Sequence, residues 1–154
     1  MDITINIQTV LDEIKKEVSH VADRAYASNG SALYDAINIT SREEKLVRSY
    51  INDAAKQLLR RCSRFLRENI QLRYNNDPDW PESYVYDFVF GERRAINKAE
   101  PLTATMHAFV MQYALSKWYS LTSQSELSNK YSLEALESGR QIDELLYYKQ
   151  PPRV

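Results

Sequence analysis

The sequence predicts a mainly α fold, a helical bundle of about four helices with a small β-hairpin inserted between the second and third long helices. Three observations predict it. Apolar residues recur at three-and-four spacing over several long windows. The chain holds only three glycines, which disfavours a loop-dominated or all-β architecture. Between residues 70 and 90 the apolar period drops to two on either side of a turn-rich stretch. With 154 residues, 44% of them hydrophobic and 27% charged, the composition is that of one globular domain, assigned to residues 1–146 with an extended tail at 147–154.

The first helix is expected from about Val10 to Ala27, because Leu11, Ile14, Val18, Val21, Ala22 and Ala25 line one stripe. Thr9 is placed to cap it, with Asp12 near the helix start and Ser28-Asn29-Gly30-Ser31 as the stop. Ser41 and Glu44 match a capping box ahead of the second helix. Its stripe runs through Leu46, Val47, Tyr50, Ile51, Ala54, Leu58, Cys62, Phe65 and Leu66, with Lys45, Asn52, Lys56, Arg60, Ser63 and Arg67 opposite. Ile70, Leu72 and Tyr74 then alternate with polar residues, and Asn75 to Pro81 reads as turn. In the next strand Tyr84, Tyr86, Phe88 and Phe90 share one face.

Pro101 fits the first turn of a third helix, where its missing N–H is no loss. Leu102, Met106, Phe109, Val110, Tyr113, Leu115, Trp118 and Leu121 leave that helix little polar surface, so it is expected at the centre of the bundle. Ser123 and Glu126 suggest another capping box, followed by a last helix over about 124–148 whose apolar face is Leu127, Tyr131, Ala135, Ile142, Leu145 and Leu146. Pro151 and Pro152 end the helical pattern and extend the tail.

The search for chemistry finds no catalytic motif, and the chain is read as a non-enzyme without cofactor or metal. His20 and His107 sit on different predicted helices, and neither has a second His or a Cys at ligand spacing. Phosphate-loop, dinucleotide and nucleophile-elbow patterns are missing. The lone Cys62 reads as a small core residue in a reducing compartment, and no stretch resembles a signal peptide or a membrane span. A formal net charge of -1 gives no global pull on nucleic acid or anionic lipid.

Local patches remain. From Arg42 to Arg73 nine basic residues stand against four acidic ones, including Lys56, Arg60, Arg64 and Arg67. Such a stripe can lie on phosphate, in a cytosolic nucleic-acid-binding or regulatory module using the basic helix 42–73. It can equally be a solvated face pairing with acids such as Asp87, Glu134, Glu137, Asp143 or Glu144. The tail segment Tyr147, Tyr148, Lys149, Gln150, Pro151, Pro152, Arg153 is an aromatic-basic strip, either a frayed end or a docking segment. Eleven tyrosines add surface suited to protein contacts.

The order of these elements resembles the head–tail connector (adaptor) proteins of tailed phages and prophages, especially those of gut Bacteroidales phages. Ser41 to Phe65, Ser83 to Phe90, Met106 to Leu121 and Leu145 to Arg153 carry the resemblance. Each motif is generic, and the match lies in their order. It implies a structural virion protein, assembled in the host cytoplasm and placed at the head–tail interface, forming a ring, usually twelvefold, beneath the portal protein. Such a ring extends the DNA channel, passes DNA without reading its sequence and presents a platform to tail or neck proteins. It implies portal contact for Tyr147, Tyr148, Lys149, Pro151, Pro152 and Arg153, and a subunit boundary for Tyr84, Tyr86, Phe88 and Phe90. Lys56, Arg60, Arg64 and Arg67 would face the channel or a neighbour. Gln150 and Val154 depart from the more basic tails of the family, which puts in doubt how much of the tail's docking is electrostatic.

Overall fold

The structure, a computed structural model, describes residues 1–24, 37–67, 71–74, 81–90 and 92–147, with side chains left aside at 71–74, 81 and 92–97. The expected helix stop at Ser28–Ser31, the segment from Leu33 to Ala36, the turn from Asn75 and the tail beyond Tyr147 lie outside the described residues. Among those described, the order is β1 (Asp2–Asn6), α1 (Ile7–Arg24), α2 (Glu44–Cys62), a 3₁₀ turn (Ser63–Phe65), β2 (Gln71–Tyr74), β3 (Pro81–Asp87), α3 (Glu92–Leu121) and α4 (Ser125–Tyr147). The mainly helical class and the hairpin between the second and third helices agree with the sequence.

The hairpin is larger than expected. An unforeseen strand, β1, lies antiparallel along the other edge of β3, giving the sheet order β1-β3-β2. Ile3 and Ile5 pair in register with Tyr86 and Tyr84. The alternation Ile3, Ile5, Ile7 puts all three isoleucines in the core, while Asp2 and Thr4 stay exposed. A two-stranded ribbon is marginal in water, and the third strand supplies the missing pairing. Past the end of β3, Leu66 bridges to Phe88, and the Val89 N–H donates to the Phe65 carbonyl at 2.7 Å.

Three helix boundaries move for identifiable reasons. Since β1 ends at Asn6, α1 starts at Ile7, and the Asn6 side chain rather than Thr9 is the cap, accepting the Thr9 N–H at 2.9 Å. Ahead of α2 the Ser41/Glu44 box does not form. One residue earlier, the Glu43 carboxylate accepts from the Thr40 N–H at 2.8 Å and from its hydroxyl at 3.0 Å, while Glu44 pairs with Lys15 of α1. α3 begins nine residues before Pro101, which lies inside the helix. Pro101 itself is exposed.

The turn between α3 and α4 is also different. Ser123 does not cap α4: it sits at φ 59 as the left-handed residue that closes α3. The Gln124 N–H donates to the Tyr119 carbonyl at 2.8 Å and the Ser123 N–H to the Ser120 carbonyl at 3.3 Å, the paired bonds of a Schellman motif. The turn sends α4 back along α3.

α3 is the centre of the bundle, touching α1, α2, α4 and β1. Leu102, Met106, Phe109, Val110, Ala114, Leu115, Trp118 and Tyr119 are buried along it. Trp118 donates its indole N–H to the Ile37 carbonyl at 2.8 Å, holding the chain ahead of α2 against this helix. Asn52, read as a solvent-side residue of α2, is instead 8% exposed, with its Oδ1 unpartnered.

A serine in the left-handed region carries a strain that glycine does not. Ser123→Gly is expected to stabilise the fold by about 0.5–1 kcal/mol, read as a higher urea midpoint at unchanged slope. A lower midpoint would show that Ser123 is not strained.

Candidate functional site

The residues singled out from the sequence fall into three groups. Tyr84, Tyr86 and Phe88 do share one face of β3, as expected, but that face is turned inward: they are 3%, 0% and 1% exposed. Their rings seal the sheet onto the chain's own helices, and the Tyr86 hydroxyl donates to the Ala55 carbonyl of α2 at 2.6 Å. Within this chain the three rings are spent on its own core. Phe90, half-buried, reaches the surface.

At that surface the structure joins two regions the sequence kept apart. Phe90 stacks on Phe88 with ring centres 5.3 Å apart and lies 5.8 Å from Phe65. Phe65 in turn meets Tyr147, the last described residue of α4, edge-on at 5.0 Å. The end of β3, the 3₁₀ turn and the end of α4 thus share one aromatic junction. Tyr147 is 46% exposed, so its ring is seated but not enclosed. Tyr148, Lys149, Pro151, Pro152 and Arg153 lie outside the described residues.

The basic helix divides. Arg61 and Arg67 pair with Asp143 at 2.8 Å and Asp87 at 3.3 Å, two of the acids foreseen as partners. Arg61 passes close to Gly139, where a Cβ would lie 2.8 Å from the guanidinium carbon and would have to push that flexible end aside. Lys56, Arg60 and Arg64 are exposed, one helical turn apart, and none has an ion pair among the described residues. They form a basic row opposite the buried face of α2, with exposed Asp53 one turn before Lys56.

Chemically reactive groups are quiet. Burial pushes the Cys62 thiol up to about 12, with Arg61 opposing and Asp143 adding to the effect, so it remains a thiol at neutral pH. His107 is partly exposed and meets Glu13 at 2.7 Å; His20 is exposed. Among the described residues no group of three or more His, Cys, Asp or Glu is placed to hold a metal ion. An open groove between α3 and α4, lined by Pro101, Thr105, Gln141, Glu144 and Leu145, has its carboxylate already paired with Arg140. Among the described residues no helix is long and apolar enough to cross a membrane. No family model, no curated protein and no solved structure matches the chain.

Three tyrosines hold the interior. Burial is the first cause that raises Tyr86, Tyr119 and Tyr131 above the ordinary phenol value, and the hydrogen bond from Tyr131 to Glu17 at 3.0 Å adds to it for Tyr131. A raised phenol favours the folded state fully below the unfolded value near pH 10, and that contribution is lost as pH climbs through the folded value. The urea midpoint should therefore stay level from about pH 7 to 9 and fall steeply above about pH 10. A midpoint unchanged at about pH 11.5 would mean that these phenols do not resist ionisation.

Proposed function

We propose that the chain is a non-enzymatic virion protein, a head–tail connector whose copies form a ring that joins the phage portal to the tail and extends the DNA channel. A dodecamer is the stoichiometry the resemblance favours. The observation that carries the reading is the aromatic junction at the start of the tail. A docking tail works best when it leaves a domain from a fixed point, because less freedom is then lost on binding. Tyr147, held against Phe65, whose ring also meets Phe90, is such a point. The order of motifs from Ser41 to Arg153 supports the same reading, as does a helical domain with a small β element.

In this reading Tyr147 to Arg153 reaches the portal, the domain surface meets neighbouring subunits and tail or neck proteins, and DNA passes without base-specific contact. Lys56, Arg60, Arg64 and Arg67 lie toward the channel or a neighbour. The work is assembly and needs no cofactor.

A second reading rests on Lys56, Arg60 and Arg64, which are exposed and unpaired among the described residues. A cytosolic nucleic-acid-binding or regulatory module would use that row on phosphates.

Co-expression with the portal protein of the same genome separates the two. The connector reading expects co-purification, rings in electron micrographs, and loss of both when residues 147–154 are deleted. Salt-sensitive binding to duplex DNA with no portal association would replace it with the second reading.

A further inference from the structure

Along the open side of α3 runs a strip without charge: Pro101, Ala104, Thr105 and Ala108, each exposed or half-exposed. Thr105 spends its hydroxyl on the Pro101 carbonyl at 2.7 Å, and Ser138 across the strip spends its own on Gln112 at 2.6 Å. With Gln141 and Leu145 of α4 these residues line a groove whose two stretches share Thr105 and Gln141. From Leu145 to Glu134 it runs about 16 Å at 1.5 Å per helical residue. Its α4 rim is acidic. Glu137 and Glu144 share the single guanidinium of Arg140, and Glu134 has no ion pair among the described residues, so three carboxylates stand against one cation.

The chain carries a segment suited to that groove. After Tyr147 come Tyr148, Lys149, Gln150, Pro151, Pro152, Arg153 and Val154, with two cations, no acid, and prolines that favour an extended polyproline II course. We infer that this tail docks in the α3–α4 groove of its own chain, its prolines on the uncharged strip and Lys149 and Arg153 toward the acidic rim. Position, length and tethering favour this occupant over a separate chain. Tyr148 comes one helical turn after Glu144 and Leu145 and two after Gln141, so helical spacing aims the chain at the groove mouth. With Tyr148 and Lys149 making the turn, Gln150 to Val154 span about 15 Å at 3.1 Å per residue, close to the length of the groove. A segment tied beside its site competes at an effective concentration on the order of millimolar. The purpose of the docking rests on the connector reading above: the residues assigned to the portal stay on their own subunit until the portal displaces them. A tail docked about nine-tenths of the time lowers portal affinity about tenfold.

Disulfide trapping in the full chain tests the docking, and the buried Cys62 stays out of the reaction. Thr105→Cys with Gln150→Cys puts one thiol in the groove and one on the tail, leaving both prolines and both cations in place. The control pair, Arg64→Cys with Gln150→Cys, has its first thiol at an exposed position next to Phe65, at the tail root but outside the groove. With oxidised glutathione and micromolar protein, the groove pair should close within one chain about tenfold faster than the control, read by intact mass and non-reducing gels. A further variant, Ala104→Arg with Ala108→Arg, fills the strip with charge of the tail's own sign, and circular dichroism checks that each variant is folded. It should slow trapping to the control rate and raise the affinity for portal protein about tenfold.

Equal trapping rates in the groove and control pairs overturn the inference. A disulfide formed only between chains overturns it in favour of a neighbouring copy's tail in the groove. Portal affinity left unchanged by the arginine variant also overturns it, since a docked tail must be displaced before it binds. Portal capture by a chain that shows no trapping sinks this inference and leaves the connector reading; fast trapping within one chain, with no portal binding by any variant, keeps the docked tail and sinks the connector reading.

Discussion

Everything in this fold is arranged around the need to cover α3. That helix has buried residues from Leu102 to Tyr119 on more than one side, so a single neighbour cannot shield it. α4 covers one side, α2 and α1 others, and β1 touches it as well. Apolar area removed from water is the main stabilising quantity, at about 25 cal/mol per Å². The elements are therefore positioned by their access to α3 more than by local preference. Two polar contacts then fix the arrangement that burial alone would leave loose: Trp118 to the Ile37 carbonyl and Tyr86 to the Ala55 carbonyl. Each is a buried donor that would cost about 1–3 kcal/mol if left unmet.

Covering α3 explains which features were legible in the sequence. The amphipathic stripes of α1, α2 and α4 are periodic because each helix has one face on the core and one in water, and such a pattern is local. The features that were missed depend on distant partners. β1 is a strand because β3 offers it an edge some eighty residues away; its only local signal is the alternation of Ile3, Ile5 and Ile7. Once β1 exists, Asn6 becomes the cap of α1 and Thr9 moves inside the helix. Ser123 looked like a cap because serine favours that role, yet it occupies the position where a glycine would have announced a helix end. In Pro101 a common rule met an exception, a helix that continues upstream with its proline facing water.

The candidate site was legible in part, for a related reason. Alternation alone predicted that Tyr84, Tyr86, Phe88 and Phe90 share a face, and they do. Whether that face looks inward or outward is not a local property, and here β3 is the middle strand with Ser83 and Val85 buried on its other side as well. The basic row could be read only as a sum of charges until the structure separated Arg61 and Arg67, which have acidic partners, from Lys56, Arg60 and Arg64, which have none among the described residues. The meeting of Phe65, Phe90 and Tyr147 joins three elements, and no sequence window spans them.

What the fold leaves unsatisfied bears on function more than what it satisfies. Inside, the unpartnered buried atoms among the described residues are few, Asn52 Oδ1 and the Tyr119 hydroxyl, and the titratable groups beside the core are held in their neutral forms. Outside, two leucines of α4 stand exposed, Lys56, Arg60 and Arg64 have no ion pair among the described residues, and Tyr147 sits half-exposed on Phe65. A monomer gains nothing by keeping opposite charges on separate faces, since surface pairs contribute little to its stability. The surface row is therefore no device for stability: Lys56, Arg60 and Arg64 have no ion pair among the described residues, although Arg61 and Arg67 in the same stretch do.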